Sequence, residues 1–351
     1  MKVLFLGKDI GDGNTGGDYG TFSHIELLTA VFGKENVDLL LIPPLPYYRK
    51  LFNVLLRRGF GYSGRVYKLL KKRKGKYYDA VFCNSSVYGE YVRYFKINGY
   101  CIYTFFQNIE YSFYYQRYKK SGHFFDYIWF RYIYKQERLT IQNSNYTIVL
   151  NDRDSSVMYE IYGRKSDYII PIFFKNTQLE FLKGELGKYS LFVGSNFYAN
   201  NEGIEWFVKN VASKIHSEIW IVGTCCDYLK RSGLQIPTNV KLLGRVDDLN
   251  EIYLKAACVV TPIFSGSGMK TKTIEAFLYA KTVFGTPESF AGIEGDFTKI
   301  GGKCSIAEEF VSSINKYMEE NNDCYNSYTY SLFQHKYSFD VNKQLLASIL
   351  K

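Results

Sequence analysis

The sequence predicts an α/β protein built from two doubly wound parallel-sheet halves in tandem. Short apolar runs bounded by Gly, Pro, Asn or Asp alternate with helix-like stretches. The runs lack the polar alternation of a half-exposed strand, and the series starts again after Pro171. At 351 residues the chain is long enough for two cores. Its 46% apolar and 22% charged residues exclude a disordered polymer.

In the first half the strand-like runs are Lys2–Leu6, Val37–Ile42, Ala80–Cys83, Cys101–Phe106 and Tyr146–Leu150. In the second they are Ser190–Val193, Ile219–Val222, Val240–Leu242, Cys258–Thr261 and Thr282–Phe284. The expected division is a domain over 1–172, a second over 173–328, and a helical tail over 329–351 able to pack back on the first, with the linker between Ile170 and Gly187. No internal repeat is visible, which excludes a solenoid. In open parallel sheets ligands bind beyond the carboxyl ends of the strands, so the loops after each run are the candidate sites.

The first loop, Gly11 to Gly17, contains a literal G-x-G-x-x-G. It admits a dinucleotide site, a plain turn, or a glycine loop that lets a substrate approach the backbone. The last is favoured because the second strand ends Leu40-Leu41-Ile42-Pro43-Pro44, without the carboxylate a ribose needs. Asp152-Arg153-Asp154 resembles a metal-holding aspartate pair, but it stands alone where Asp or Ser would cap a helix running to Tyr162. No required metal is expected. His24 reads as a structural residue on a helix face.

The richest loop is TPIFSGSGMKTKTIEA, Thr261 to Ala276. Gly266, Ser267 and Gly268 can form a nest of outward N–H groups at a helix start, and Lys270 and Lys272 add charge where the helix dipole already favours an anion. Glu275 falls one turn after Thr271, placed to accept hydrogen bonds from ribose hydroxyls. From these residues alone a diphosphate site and a solvated helix start both remain open.

GSGMKTKTIEA resembles the signature of the group 1 (family 4-like) glycosyltransferases with the GT-B fold. LFVGSNFYANNEGIEWFV, IWIVGT and VKLLGRVDDLNEIY resemble the stations that precede it, Gly16-Gly17 the acceptor loop, and FFQNIEYSFY a "His-Asn-x-Glu" segment. IVLNDRDSSVMYEIYG followed by IIPI resembles the last strand, helix and crossover of the first domain. The resemblance implies two Rossmann-like domains facing across a cleft. It further implies a metal-independent, retaining enzyme with no cofactor and a UDP- or GDP-sugar as co-substrate.

Carried over by position, the donor set is Gly194, Ser195, Asn196, Gly223, Gly244, Arg245, Val246, Gly266, Ser267, Gly268, Met269, Lys270, Lys272 and Glu275. The acceptor set is Gly16, Gly17, Asp18, Gln107, Asn108 and Glu110. Two departures bear on the chemistry: Ser267 stands where the family often has a glutamate, and Gln107 replaces its histidine. Gln takes no proton at neutral pH, so the acceptor hydroxyl would lose its proton to the leaving phosphate, to Glu110 or to Asp18, while Lys270 stabilises the leaving group. A non-catalytic partner subunit of a glycosyltransferase and an NAD(P)-binding oxidoreductase are the alternatives.

The formal charge of +10 is concentrated. Residues 47–78 hold 11 Lys and Arg and no acid, interleaved with Leu51, Val54, Leu55, Tyr62, Val66, Leu69 and Leu70, while the rest of the chain nets −1. Such a segment suits an anionic membrane surface. A second stretch, Tyr111 to Tyr134, is dense in aromatics and suits either ordinary core or a sugar or lipid-linked acceptor. Nucleic-acid-reading motifs are absent from the sequence. The N-terminal run Val3–Leu6 is too short for a leader, no run approaches membrane-spanning length, and seven scattered cysteines form no Cys-x-x-Cys pair. These features predict a cytoplasmic protein attached peripherally to the inner face of a membrane, acting on a lipid-linked glycan in cell-surface polysaccharide synthesis.

Overall fold

The computed structural model describes residues 1–9, 16–56, 58–59, 62–72, 77–176, 179–181, 183–184, 187–266, 268–320 and 323–350, without the side chains of 16–18 and 47. The chain divides into two compact units, Met1–Pro171 with Asn342–Lys351, and Ile172–Val341.

The first unit runs β1 (Val3–Lys8), α1 (Gly16–Phe32), β2 (Val37–Ile42), α2 (Tyr47–Leu55), α3 (Gly64–Lys72), β3 (Ala80–Cys83), α4 (Gly89–Ile97), β4 (Ile102–Phe106), α5 (Glu110–Ser121), α6 (Phe124–Asn143), β5 (Tyr146–Val149), α7 (Asp152–Tyr162) and β6 (Tyr168–Ile169). Its sheet has the order β2-β1-β3-β4-β5-β6, with every pairing parallel. Val3 to Leu6, Ala80 to Cys83 and Phe105–Phe106 are fully buried, as strands covered on both faces must be.

The second unit runs β7 (Tyr189–Val193), α8 (Tyr198–Asn210), β8 (Glu218–Val222), α9 (Cys225–Arg231), β9 (Val240–Gly244), α10 (Asn250–Lys255), β10 (Cys258–Thr261), α11 (Thr271–Leu278), β11 (Thr282–Gly285), α12 (Phe297–Ile300), β12 (Gly301–Lys303), α13 (Ala307–Glu320), α14 (Ser327–Leu332) and α15 (Phe339–Ile349), the last carrying the chain into the first unit. Its all-parallel order is β12-β11-β10-β7-β8-β9. The connections reverse direction between β7 and β10, so the loops leaving those two strands open at the switch point of the sheet, where such folds place ligands.

Every strand expected from the sequence forms, with ends moved by at most two residues. The short edge strands β6 and β12 carry too few residues to show a pattern. One expectation is corrected locally. The cap of α7 is Asn151, whose side chain accepts from the Asp154 amide at 2.9 Å, rather than an Asp or Ser; Asp152 is the first helical residue.

The apolar residues of the basic segment are split. Val66 and Leu70 of α3 enter the core beside Tyr78 and Tyr91. On α2, Tyr48, Phe52 and Leu55 stand 66%, 60% and 78% exposed. Their spacing puts all three on one helix face. The aromatic stretch 111–134 mostly packs on itself: the Phe130 ring lies 5.0 to 5.9 Å from Tyr111, Tyr115, Tyr118 and Tyr127, which locks α5 to α6. Phe124 and Phe125 remain exposed. All seven cysteines are free thiols.

Candidate active site

The donor set gathers at the carboxyl end of the second sheet. After β7 the chain turns through Gly194, Ser195 and Asn196. Gly194 accepts at its carbonyl from the Cys225 amide at 3.2 Å, and Gly223 donates to the Gly244 carbonyl at 2.7 Å, so the ends of β7, β8 and β9 are tied together. Asn196 donates its amide to Thr224 Oγ1 at 2.7 Å, which links the β7 and β8 loops. Arg245 is exposed and Val246 half-buried just beyond β9.

The β10–α11 loop carries the glycines. Gly266 has φ +129° and Gly268 φ +64°, values in the left-handed region that a side chain would resist. Ser267 lies outside the described residues. Met269 is buried beneath the loop, and α11 begins at Thr271 with Lys270 at its cap. Lys270 folds back over the loop: its Nζ donates to the Gly268 carbonyl at 3.1 Å and to Glu288 Oε1 at 2.7 Å.

Two residues on, Lys272 Nζ donates to Asn200 Oδ1 at 2.6 Å and sits 4.3 Å from the centre of the Phe192 ring. Burial lowers its pKa to about 7; nearby Lys270 pushes the same way, while the Cys225 thiol and Glu275 oppose it. Glu275 accepts from the Tyr253 hydroxyl at 2.9 Å, and burial raises its carboxyl above the usual range against the pull of Tyr253 and Lys272. Tyr253, fully buried on α10, stacks on Tyr279 at 4.4 Å.

Packing holds this loop in place. A Cβ on Gly203 of α8 would lie 1.9 Å from the Pro262 carbonyl oxygen, so only glycine allows α8 to press on the loop's first residues. Asn200, from the same helix, reaches Lys272, and Glu202 accepts from Ser265 at 2.8 Å. Gly203, Tyr253 and Glu288 are absent from the sequence-derived set. Gly203 carries a local signal, a glycine inside a helical pattern, whereas Glu288 carries none.

The acceptor set lies in the first unit. Gly16 and Gly17 open the backbone of α1, while their surroundings, the Asp18 side chain and the preceding loop 10–15 lie outside the described residues. Gln107 follows β4, its Nε2 3.3 Å from where a Cβ on Gly20 would stand, so α1 and the β4 loop meet closely. Asn108 is half-buried.

Glu110 is the first residue of α5, and its amide donates to Glu137 Oε1 at 2.8 Å. Glu137, fully buried on α6, also accepts at Oε2 from the Tyr111 amide at 2.9 Å and the Tyr162 hydroxyl at 2.7 Å. It satisfies the open end of α5, a role no local pattern announces. Burial, then the charge of Glu137, pushes the Glu110 carboxyl up to about 7 against the Asn108 hydrogen bond. His24 is buried, bonded through Nδ1 to Asn84 Oδ1 at 2.8 Å and packed 4.1 Å from Phe105, with its pKa lowered by burial to about 4. It is part of the core.

Residues 187–319 match the family model described as glycosyl transferases group 1. No curated protein matches the chain. Among solved structures, HepE from Anabaena in complex with UDP is similar over 100% of this chain and 99% of its own, with TM-score 0.69 and 14% identity. Its complex with UDP-glucose gives 0.69 and 13% over the same coverage. Sucrose-phosphate synthase from Thermosynechococcus elongatus gives 0.74 and 13%, over 99% of this chain and 98% of its own. At these identities the likeness speaks to fold, and the fold is GT-B. Gly266, Gly268, the two lysines and the glutamate at the switch point thus all fall within the segment that matches the group 1 glycosyltransferase model, in a chain with the GT-B fold.

Proposed function

We propose that the protein transfers a sugar from a UDP-sugar to a lipid-linked glycan, in cell-surface polysaccharide synthesis. The observation that carries this reading is the convergence of Gly266, Gly268, Lys270, Lys272 and Glu275 at the β7/β10 switch point. The amides of the loop and the two ammonium groups meet the diphosphate and stabilise the charge that develops as it leaves. Glu275, preorganised by Tyr253, accepts from the ribose hydroxyls. These cations take the place of a metal, and transfer proceeds with retention. UDP is the favoured nucleotide because HepE is seen with UDP and with UDP-glucose.

On the acceptor side Glu110 is the base. A carboxyl raised to about 7 takes a hydroxyl proton at neutral pH more readily than an ordinary carboxylate, which suits general base work. The leaving phosphate and Asp18 are the other acceptors for that proton. The chain attaches peripherally, on the cytoplasmic side, to an anionic membrane through residues 47–78: α2 offers an exposed Tyr48–Phe52–Leu55 stripe within the basic segment. Among the described residues no helix is long and apolar enough to cross a membrane.

Calorimetric titration of UDP and GDP into wild type and Glu275→Ala tests the donor reading. UDP should bind wild type and bind the variant about 30-fold or more weakly, as expected for loss of charge-assisted hydrogen bonds. Absence of nucleotide binding in wild type refutes the proposal. Release of sugar from the bound donor separates an enzyme from a non-catalytic partner.

A further inference from the structure

We propose that Glu137 is a positioning residue for the transfer step: from beneath the first turn of α5 it fixes the backbone of Glu110 and sets a second carboxylate beside it. The inference rests on the reading of Glu110 as the base given above. In that step the acceptor hydroxyl gives its proton to Glu110 while its oxygen bonds the anomeric carbon, and the diphosphate leaves with the electron pair of the bond that breaks.

Helix α5 lacks the usual local cap. Ile109 stands at the capping position and offers no side-chain acceptor. Glu137 reaches in from α6 instead, 27 residues on, and takes the Glu110 amide at Oε1, 2.8 Å away, and the Tyr111 amide at Oε2, 2.9 Å away. The Tyr162 hydroxyl, at 2.7 Å, and the Ser86 hydroxyl also donate to it. A neutral Ser or Asn at the capping position would serve a helix start as well. Burying a carboxylate at 0% exposure costs more than a cap requires, which points to a use for the charge itself.

That use lies in its neighbour. A glutamate's carboxyl carbon lies at most about 5 Å from its own amide nitrogen, so the two carboxyls stand within about 8 Å, inside the screening length of physiological salt. Glu137 collects two amides and two hydroxyls, while Asn108 bonds Glu110. Hydrogen bonds to the charged form favour it, so Glu137 keeps the negative charge and Glu110 takes the proton first. Glu137 also occupies the amides whose partial positive charge would otherwise help hold Glu110 ionised. The Glu110 carboxyl, pushed up to about 7 by burial and then by Glu137, agrees with this geometry. Glu110 is half-buried and Glu137 fully buried, so of the two only Glu110 can meet a substrate. Tyr114 of α5 faces Glu110, and Tyr162 of α7 faces Glu137 with Tyr111 and Tyr134 around it. The Tyr111, Tyr114 and Tyr162 hydroxyls are all pushed above their usual range and stay neutral.

The test follows Glu110 by NMR titration of protein carrying labelled glutamate carboxyls, its signal assigned by its loss in Glu110→Gln. A second readout is the rate of sugar release from UDP-glucose, UDP-galactose and UDP-N-acetylglucosamine against pH. In wild type Glu110 should titrate near pH 7. In Glu137→Gln, checked for folding by its melting, the midpoint should fall by about one pH unit or more, and the rate at pH 6 relative to pH 8 should rise about fivefold. A merely structural loss would lower both rates alike and leave their ratio unchanged. A wild-type midpoint below about pH 5 overturns the pairing whether or not the variant folds, and a midpoint near pH 7 upholds it. A folded Glu137→Gln with midpoint and ratio unchanged overturns the role of Glu137. A midpoint that falls while the ratio stays fixed overturns Glu110 as the base, and wild type that releases sugar from no donor counts against the transferase reading; neither result touches the pair, which the titration decides.

Discussion

If Lys272 pairs with the donor diphosphate as proposed, the affinity for a nucleoside diphosphate should depend on pH within the physiological range. Its ammonium is pressed between the Phe192 ring and Asn200, with Lys270, Glu275 and the Cys225 thiol as the charged or titratable groups acting on it. Burial, then Lys270, brings its pKa to about 7. Only the protonated form pairs with a phosphate, so binding raises the pKa and takes up a proton. The apparent Kd scales as one plus the ratio of neutral to charged lysine. That factor is about 2 at pH 7, about 11 at pH 8 and about 100 at pH 9, a weakening of about 50-fold across two units, or about 2.3 kcal/mol. Calorimetry of UDP binding from pH 6.5 to 9, in buffers of different ionisation heat, reads both the slope and the proton uptake. Lys272→Arg stays charged throughout and should flatten the profile. A flat wild-type profile without proton uptake, or the same slope in Lys272→Arg, refutes this account.

Three further outcomes follow from the packing. Glu137→Ala leaves the Glu110 and Tyr111 amides and the Tyr162 hydroxyl without their acceptor, and should cost about 3 kcal/mol or more in urea unfolding; Glu137→Gln, which keeps one oxygen, should cost less than half of that. Gly203→Ala drives a methyl into the Pro262 carbonyl and should destabilise by about 1–3 kcal/mol while weakening UDP binding through the displaced loop; unchanged stability would show that α8 can move aside. Vesicles of anionic lipid should retain the protein at low salt, and charge reversal at Lys71 and Lys72 should release it. Phe52→Ser with Leu55→Ser should weaken retention at every salt concentration, and equal retention by neutral vesicles would refute the electrostatic part.

The strands of both sheets and the glycine- and lysine-rich loop after β10 were legible in the sequence because their signals are local. A continuous apolar run records a strand buried on both faces, and the glycines with Lys270, Lys272 and Glu275 lie within ten residues of one another. Local reasoning reached less far where two short edge strands carried too few residues to show a pattern, and where Asn151 took the capping role expected of its neighbours. The loop 10–15 lies outside the described residues and stays with the sequence argument alone.

The sequence by itself determined the order of strands and helices, the restart after Pro171, the place of the glycine- and lysine-rich loop after β10 and the concentration of charge in residues 47–78. Those properties depend on neighbours along the chain. Tertiary structure decided what depends on neighbours in space. It buried Val66 and Leu70 but left Tyr48, Phe52 and Leu55 exposed, and it brought Glu137 under α5 from 27 residues away. It also set Glu288 against Lys270 from 18 residues away and enclosed Lys272 until its charge became negotiable near neutral pH. A carboxylate's partner and a lysine's pKa are set by distance and solvent exclusion, and neither is written in the order of residues.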